Sequence, residues 1–183
     1  MVQGVVRRGL RRWTSVLALV LSMAGCGPGQ VSEQQGESLR ASIRLLEDQA
    51  FQGGQLDDGV RDDLLKAYGE FARQSPNHPF VAEALFRRAD LLVSKGKFQE
   101  AMSQLQDVHD SYPAFERRAQ AAFLIAFIAD THLGDKELAR QAYAHVISLH
   151  PDSPEAELAE QSMVWLDSQA PWDSIRTGSH AVD

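Results

Sequence analysis

Apolar residues recur at helical spacing along most of the chain. Val81, Leu85, Ala89 and Leu92 form one stripe. Phe98, Ala101, Leu105, Val108 and Tyr112 form a second, stepping by three and four residues. The pattern breaks at Gly96 and ends at Pro113, which predicts two antiparallel helices joined by a tight turn. The same arrangement recurs before and after. Pro76, Pro113 and Pro151 lie 37 and 38 residues apart, and so do Gly59, Gly96 and Gly134, one marker read as closing each unit and the other as its internal turn. Two independent markers with one period predict a helical repeat array with units at about 39–75, 76–112 and 113–150.

The first unit carries Leu39, Ile43, Leu46 and Ala50 on one predicted helix, stopped at Gly53-Gly54. Asp57 or Asp58 caps the next, which shows Val60, Leu64, Tyr68 and Phe71 on one face. The acidic cluster of Asp57, Asp58, Asp62 and Asp63 suits the positive end of that helix dipole. The alternating oxygen ligands of a calcium loop are missing from it. In the third unit residues 119–129 are apolar all round, which predicts burial on most sides. Either a following helix covers them or they line an apolar groove. Residues 153–168 supply a covering helix, with Ser153 as N-cap, Pro154 as its first residue, and Met163, Trp165 and Leu166 closing the array. Residues 169–183 are expected to form a disordered tail.

Leu85, Ala89, Leu92, Gly96, Phe98, Ala101, Leu105, Val108 and Pro113 together resemble the tetratricopeptide repeat signature, with its aromatic two residues after the glycine and its alanine five after. The third unit repeats the later half at Gly134, Ala139, Tyr143, Val146 and Pro151, with Lys136 replacing the aromatic. The first fits worst, carrying Arg61 in the aromatic place and Leu64 in the small-residue place, as a capping unit often does. The expected fold is an all-α, tetratricopeptide-type solenoid of helical hairpins, about three repeats and a closing helix over residues 38–168. The resemblance implies a concave face lined by the first helix of each unit. Carried over by position, it gives Glu83, Phe86, Asp90, Leu124, Ile128 and His132 as the partner-binding groove. Arg87, Arg88, Arg117 and Arg118 are further candidates in an otherwise acidic body, or else a solvated face. Unit length and the Ser-Pro, Tyr-Pro and His-Pro endings resemble, more narrowly, envelope lipoproteins of the β-barrel assembly machinery type and Tol-Pal accessory proteins.

Residues 1–25 have a basic start, an apolar run over 13–24 and small residues at the end, the layout of a secretory signal peptide. An apolar run of about twelve residues is too short for a hydrocarbon core of roughly 30 Å. Met23-Ala24-Gly25-Cys26 resembles the bacterial lipobox, in which a small pair precedes the cysteine. The resemblance implies cleavage before Cys26 and its lipidation, and Gly27 in the next position implies the outer membrane, with the domain facing the periplasm. Residues 26–37 are expected to be the lipidated cysteine and a flexible tether.

Without residues 1–25 the chain holds 14 basic and 25 acidic side chains, a net charge of −11. Such a body does not follow phosphate backbones, so nucleic-acid binding is disfavoured. Cys26 is the single cysteine, which leaves no intrachain disulfide. No nucleophile elbow, phosphate-binding loop or dinucleotide fingerprint is present. The six histidines form no metal-ligand motif, and His150 stands in the place of Tyr112 and Ser75 as a turn residue. No enzyme activity, cofactor or metal is therefore expected. The expected function is a membrane-anchored scaffold that binds envelope proteins in outer-membrane protein assembly. The alternatives are a pilotin or Tol-Pal accessory, a self-associating structural lipoprotein and, least of all, a hydrolase.

Overall fold

A computed structural model describes residues 28–52 and 57–177. The expected signal peptide, Cys26, Gly53-Gly54 and residues 178–183 lie outside them. Among the described residues seven α-helices follow in order: α1 (Pro28–Gln52), α2 (Asp58–Gln74), α3 (Val81–Ser94), α4 (Phe98–Ser111), α5 (Arg118–Ile128), α6 (Lys136–Leu149) and α7 (Pro154–Thr177). Among the described residues there is no strand. Each helix packs on the next in sequence, and α5 also packs directly on α7.

The cores fall where one hairpin meets the next. Ile43, Leu64, Tyr68, Phe71, Val81 and Ala84 bury the α1–α2 hairpin against α3. Phe86, Ala89, Leu92, Ala101, Leu105, Val108, Ala121 and Ile128 join α3, α4 and α5. Ala122, Ala126, Ala139, Tyr143, Val146, Ala159 and Leu166 join α5, α6 and α7. The apolar stretch of α5 is therefore sandwiched, with one side in the second core and the other in the third. No single hairpin could bury its apolar stripe alone.

Local signals explain most helix ends. Asp57 accepts hydrogen bonds from the N–H groups of Gly59 and Val60 at 2.8 and 3.3 Å. Asp135 caps α6 through Leu138 at 3.0 Å, and Ser153 caps α7 through Ala156 at 3.2 Å. Ser75, Tyr112 and His150 end α2, α4 and α6, each donating its backbone N–H four residues back. The prolines that follow cannot continue the helix. Gly96 and Gly134 have φ of +70° and +65°, the left-handed geometry that a tight turn needs and a side chain disfavours. Gly59 is different. It is the second residue of α2, so the first interhelical turn lies upstream of it.

Three further expectations need correcting. Residues 28–37, expected as a tether, belong to α1, and residues 35–37 dock on the end of α2 and the loop that follows it. Gln35 bonds Gln74 at 3.0 Å and Glu37 bonds His78 at 3.1 Å. Gly36 is buried so closely that an added Cβ would lie 3.0 Å from His78 and 3.1 Å from Ser75. Gln- and Gly-rich composition suggests a linker, but extending a formed helix needs no new nucleus, and tertiary partners hold it. Helix extension without a new nucleus also lets α7 continue from residue 169, expected as loose tail, to Thr177. Trp165 is the third: Leu166 is buried and Met163 packs on the core, while Trp165 stays 62% exposed.

A one-turn π segment, Ala129–Leu133, follows α5. From Pro113 to Gly134 is 21 residues, against 20 from Pro76 to Gly96. The single extra residue of the third unit is thus absorbed as a π turn, a common fate of one-residue insertions in helices.

Candidate functional site

Residues of α1, α2, α3 and the start of α5 enclose a groove of about 450 Å³. Its floor is apolar, with Ala50, Leu64 and Leu91. Its walls carry Glu47, Tyr68, Glu83, Arg87, Asp90 and Arg117. Most of these polar groups form one chain across the repeats. The Tyr68 hydroxyl donates to Glu47 at 2.6 Å, and Arg87 donates to Glu47 at 2.8 Å and to Glu83 at 2.6 Å. Arg117 then donates to both oxygens of Glu83 at 3.0 Å. Partly solvated pairs of this kind add little stability each, about 1 kcal/mol or less. Their physical effect is positional, since long side chains from three hairpins are fixed in one layer.

Burial, followed by the bond to Glu47 and its charge, pushes the Tyr68 phenol above its ordinary range. Desolvation by the groove raises the Asp90 carboxyl above its usual value, opposed by the charge of Arg117. Asp90 keeps an open side to solvent. It is the wall carboxylate that an incoming group can reach.

The six predicted groove residues separate. Glu83 and Asp90 line the groove. Phe86 does not: it is fully buried, beneath the Arg117 guanidinium at 3.8 Å from the ring centre. Ile128 is likewise core at 1% exposure, and Leu124 packs half-buried against the second core. His132 is exposed in the π segment and stacks on Phe98 with ring centres 4.4 Å apart. The displacement has a structural reason. Ala84, Ala89 and Leu92 correspond to buried Ala121, Ala126 and Ala129, 37 residues on, because the extra residue falls after them. The counterpart of Asp90 is then Phe127, 40% exposed, in place of Ile128.

The arginine pairs divide by face. Arg87 and Arg117 enter the groove. Arg88 instead bonds the Leu65 carbonyl at 3.3 Å and Gln104 at 2.7 Å, and Arg118 bonds the His109 carbonyl at 2.8 Å, so both staple helices together. Glu47 and Tyr68 escaped the sequence reading. Glu47 meets Arg87 40 residues away, and nothing in the local pattern marks that pairing.

Residues 83–114 and 120–153 match the tetratricopeptide repeat. The fold is a tetratricopeptide-type helical solenoid. The two matched segments coincide with the α3–α4 and α5–α6 hairpins, and the α1–α2 hairpin, where Arg61 and Leu64 depart from the signature, lies outside them. No curated protein matches the chain. Tetratricopeptide solenoids are generally non-enzymatic scaffolds for peptide or protein partners. Among the described residues no helix is long and apolar enough to cross a membrane.

Proposed function

We propose that this chain is a lipid-anchored scaffold of the bacterial cell envelope, facing the periplasm from the outer membrane. Its concave groove binds a peptide or helix of another envelope protein, in outer-membrane protein assembly or envelope maintenance. The observation that carries the binding reading is the groove itself: an apolar floor beneath a fixed layer of charges, with Asp90 still free to take a cation. A partner segment with alternating apolar and basic side chains fits those two features. Roles as a pilotin or in Tol-Pal-linked division draw on the same groove.

The charge-reversing variant Asp90→Lys tests the groove. Asp90 is exposed to solvent, so the new cation beside Arg117 costs no more than about 1 kcal/mol and the fold is kept. Partner recovered by photo-crosslinking from position Phe127 in intact envelopes falls about tenfold, roughly 1.4 kcal/mol of lost complementarity. Undiminished recovery of the same partner sinks the reading.

The anchor rests on the Ala24-Gly25-Cys26 sequence after an apolar run, and it is tested separately. One acyl chain anchors marginally, whereas the several chains of a lipidated cysteine hold firmly, at about 0.8 kcal/mol per buried CH₂. Cys26→Ser is expected to abolish fatty-acid labelling and to move the chain from the membrane fraction to the soluble one. Labelling that persists in that variant refutes the anchor.

One observation favours self-association as a second reading. Leu158, Val164 and Trp165 expose apolar surface on α7, the last helix of the stack, at 47%, 71% and 62%. Sedimentation that depends on concentration, and is lost in Trp165→Glu, separates that reading from a monomeric adaptor.

A further inference from the structure

The structure brings together two histidines that lie far apart in sequence. His109, in the last turn of α4, is 2% exposed. Its Nε2 lies 3.0 Å from Nε2 of His150, the residue that ends α6, and its Nδ1 lies 2.8 Å from Asp110. The rings meet edge to face with centres 5.3 Å apart. The bond therefore joins the second repeat to the third.

Two nitrogens at 3.0 Å need one proton between them. With Asp110 accepting from Nδ1–H of His109, the His109 Nε2 is an acceptor and His150 is the Nε2–H donor. A single added proton still leaves one N–H···N bond. A second puts two N–H donors face to face, so the bond breaks and two like charges oppose each other in a partly buried site. The arrangement suits a proton better than a metal. Two imidazole nitrogens bound at about 2.0–2.1 Å to a tetrahedral zinc stand farther apart, roughly 3.4 Å. Among the described residues no group of three or more His, Cys, Asp or Glu could hold an ion.

We propose that His109 and His150 form a proton-operated latch, which holds the second and third repeats together while one proton is shared and loosens them when both rings are charged. The charged and titratable surroundings come from all four packed helices: Asp110 on α4, Arg118 on α5, His145 on α6 and Glu155 on α7. Asp110 and Glu155 favour protonation, whereas Arg118 and His145 oppose it. Desolvation, then His109 and Arg118, holds His150 below its ordinary value of 6.5. The sign follows. The unfolded chain takes up the His150 proton as pH falls through about 6.5, and the folded chain takes it up only at lower pH, so stability is complete above that value and declines below it.

His150→Ser tests the latch and should fold, because Ser75 ends α2 in the equivalent place. His150→Tyr, which copies the Tyr112 end of α4, is the second variant. Urea titrations of the full chain between pH 7.5 and 5 are expected to show the wild-type unfolding constant rising faster on acidification than that of either variant. The excess reaches up to about tenfold per pH unit while the first proton is taken up, and it steepens where the second opens the bond. Hydrogen exchange should speed up first in residues 136–168. Long-range proton–nitrogen spectra at pH 7.5 should find His109 protonated on Nδ1 and His150 on Nε2. Equal pH slopes in wild type and variants, or Nε2 protons on both rings at pH 7.5, overturn the proposal.

Discussion

Phe86→Ala is expected to destabilise the fold by about 3–5 kcal/mol, the range for a buried aromatic truncated to alanine. Phe86 is fully buried in the core shared by α3, α4 and α5. It also carries the Arg117 guanidinium at 3.8 Å, a contact of about 0.5–2 kcal/mol that the variant loses as well. Native domains keep only about 5–15 kcal/mol in hand, so much of the stability is at stake. Urea denaturation should show a large fall in midpoint with little change in slope, and Phe86→Leu should recover most of it. A loss below about 1 kcal/mol would mean that the ring lies on the surface, where substitutions usually cost about 0.5 kcal/mol or less. The result also governs how groove variants are chosen. A polar residue at position 86 would unfold the second repeat and abolish binding for that reason alone, whereas Asp90 and Phe127 can be changed without touching the core.

The second large effect runs the other way, from too much volume. Ala101 is fully buried in the same core, where α4 packs on α3. Ala101→Leu is expected to cost about 1–3 kcal/mol, because a close-packed interior has no room for three more carbons without displaced rotamers or backbone. Ala144 also lies on a repeat's second helix, but it is exposed. Ala144→Leu should change stability by no more than about 0.5 kcal/mol. Comparable losses in the two variants would show that helix preference, and not steric contact at the α3–α4 crossing, sets the requirement for alanine at position 101.

Much of the repeat is legible before folding, and the reasons are local. The three- and four-residue apolar steps of α3 and α4, the capping oxygens of Asp57 and Ser153, and the prolines after Ser75, Tyr112 and His150 each act within a turn or two of helix. A residue's own neighbours decide such features, so the chain states them directly. Gly59 misleads because its spacing from Gly96 fits the period while its place is inside α2.

The site is less legible. Repeat position points to Glu83 and Asp90, and basic charge in an acidic body points to Arg87 and Arg117, yet Arg88 and Arg118, beside those arginines, turn to opposite faces and bind helix carbonyls. Repeat position also points to Phe86 and Ile128, because position within a repeat does not fix a side chain's direction to better than one residue. The one-residue insertion in the third unit shifts the equivalences around it, and only the π turn at Ala129–Leu133 shows where the chain absorbs it.

Helical geometry and short-range chemistry are enough to read from the chain an all-α hairpin array, its period, most of its turns and caps, and the apolar stripes that become core. They are not enough to place residues 28–37 in a helix docked at Gln35, Gly36 and Glu37, to join Glu47 and Tyr68 to Arg87, or to bring His109 against His150. Those side-chain contacts pair groups about 20 to 40 residues apart. Their partners are chosen by how one hairpin stacks on the next, a geometry that no local stretch of chain encodes.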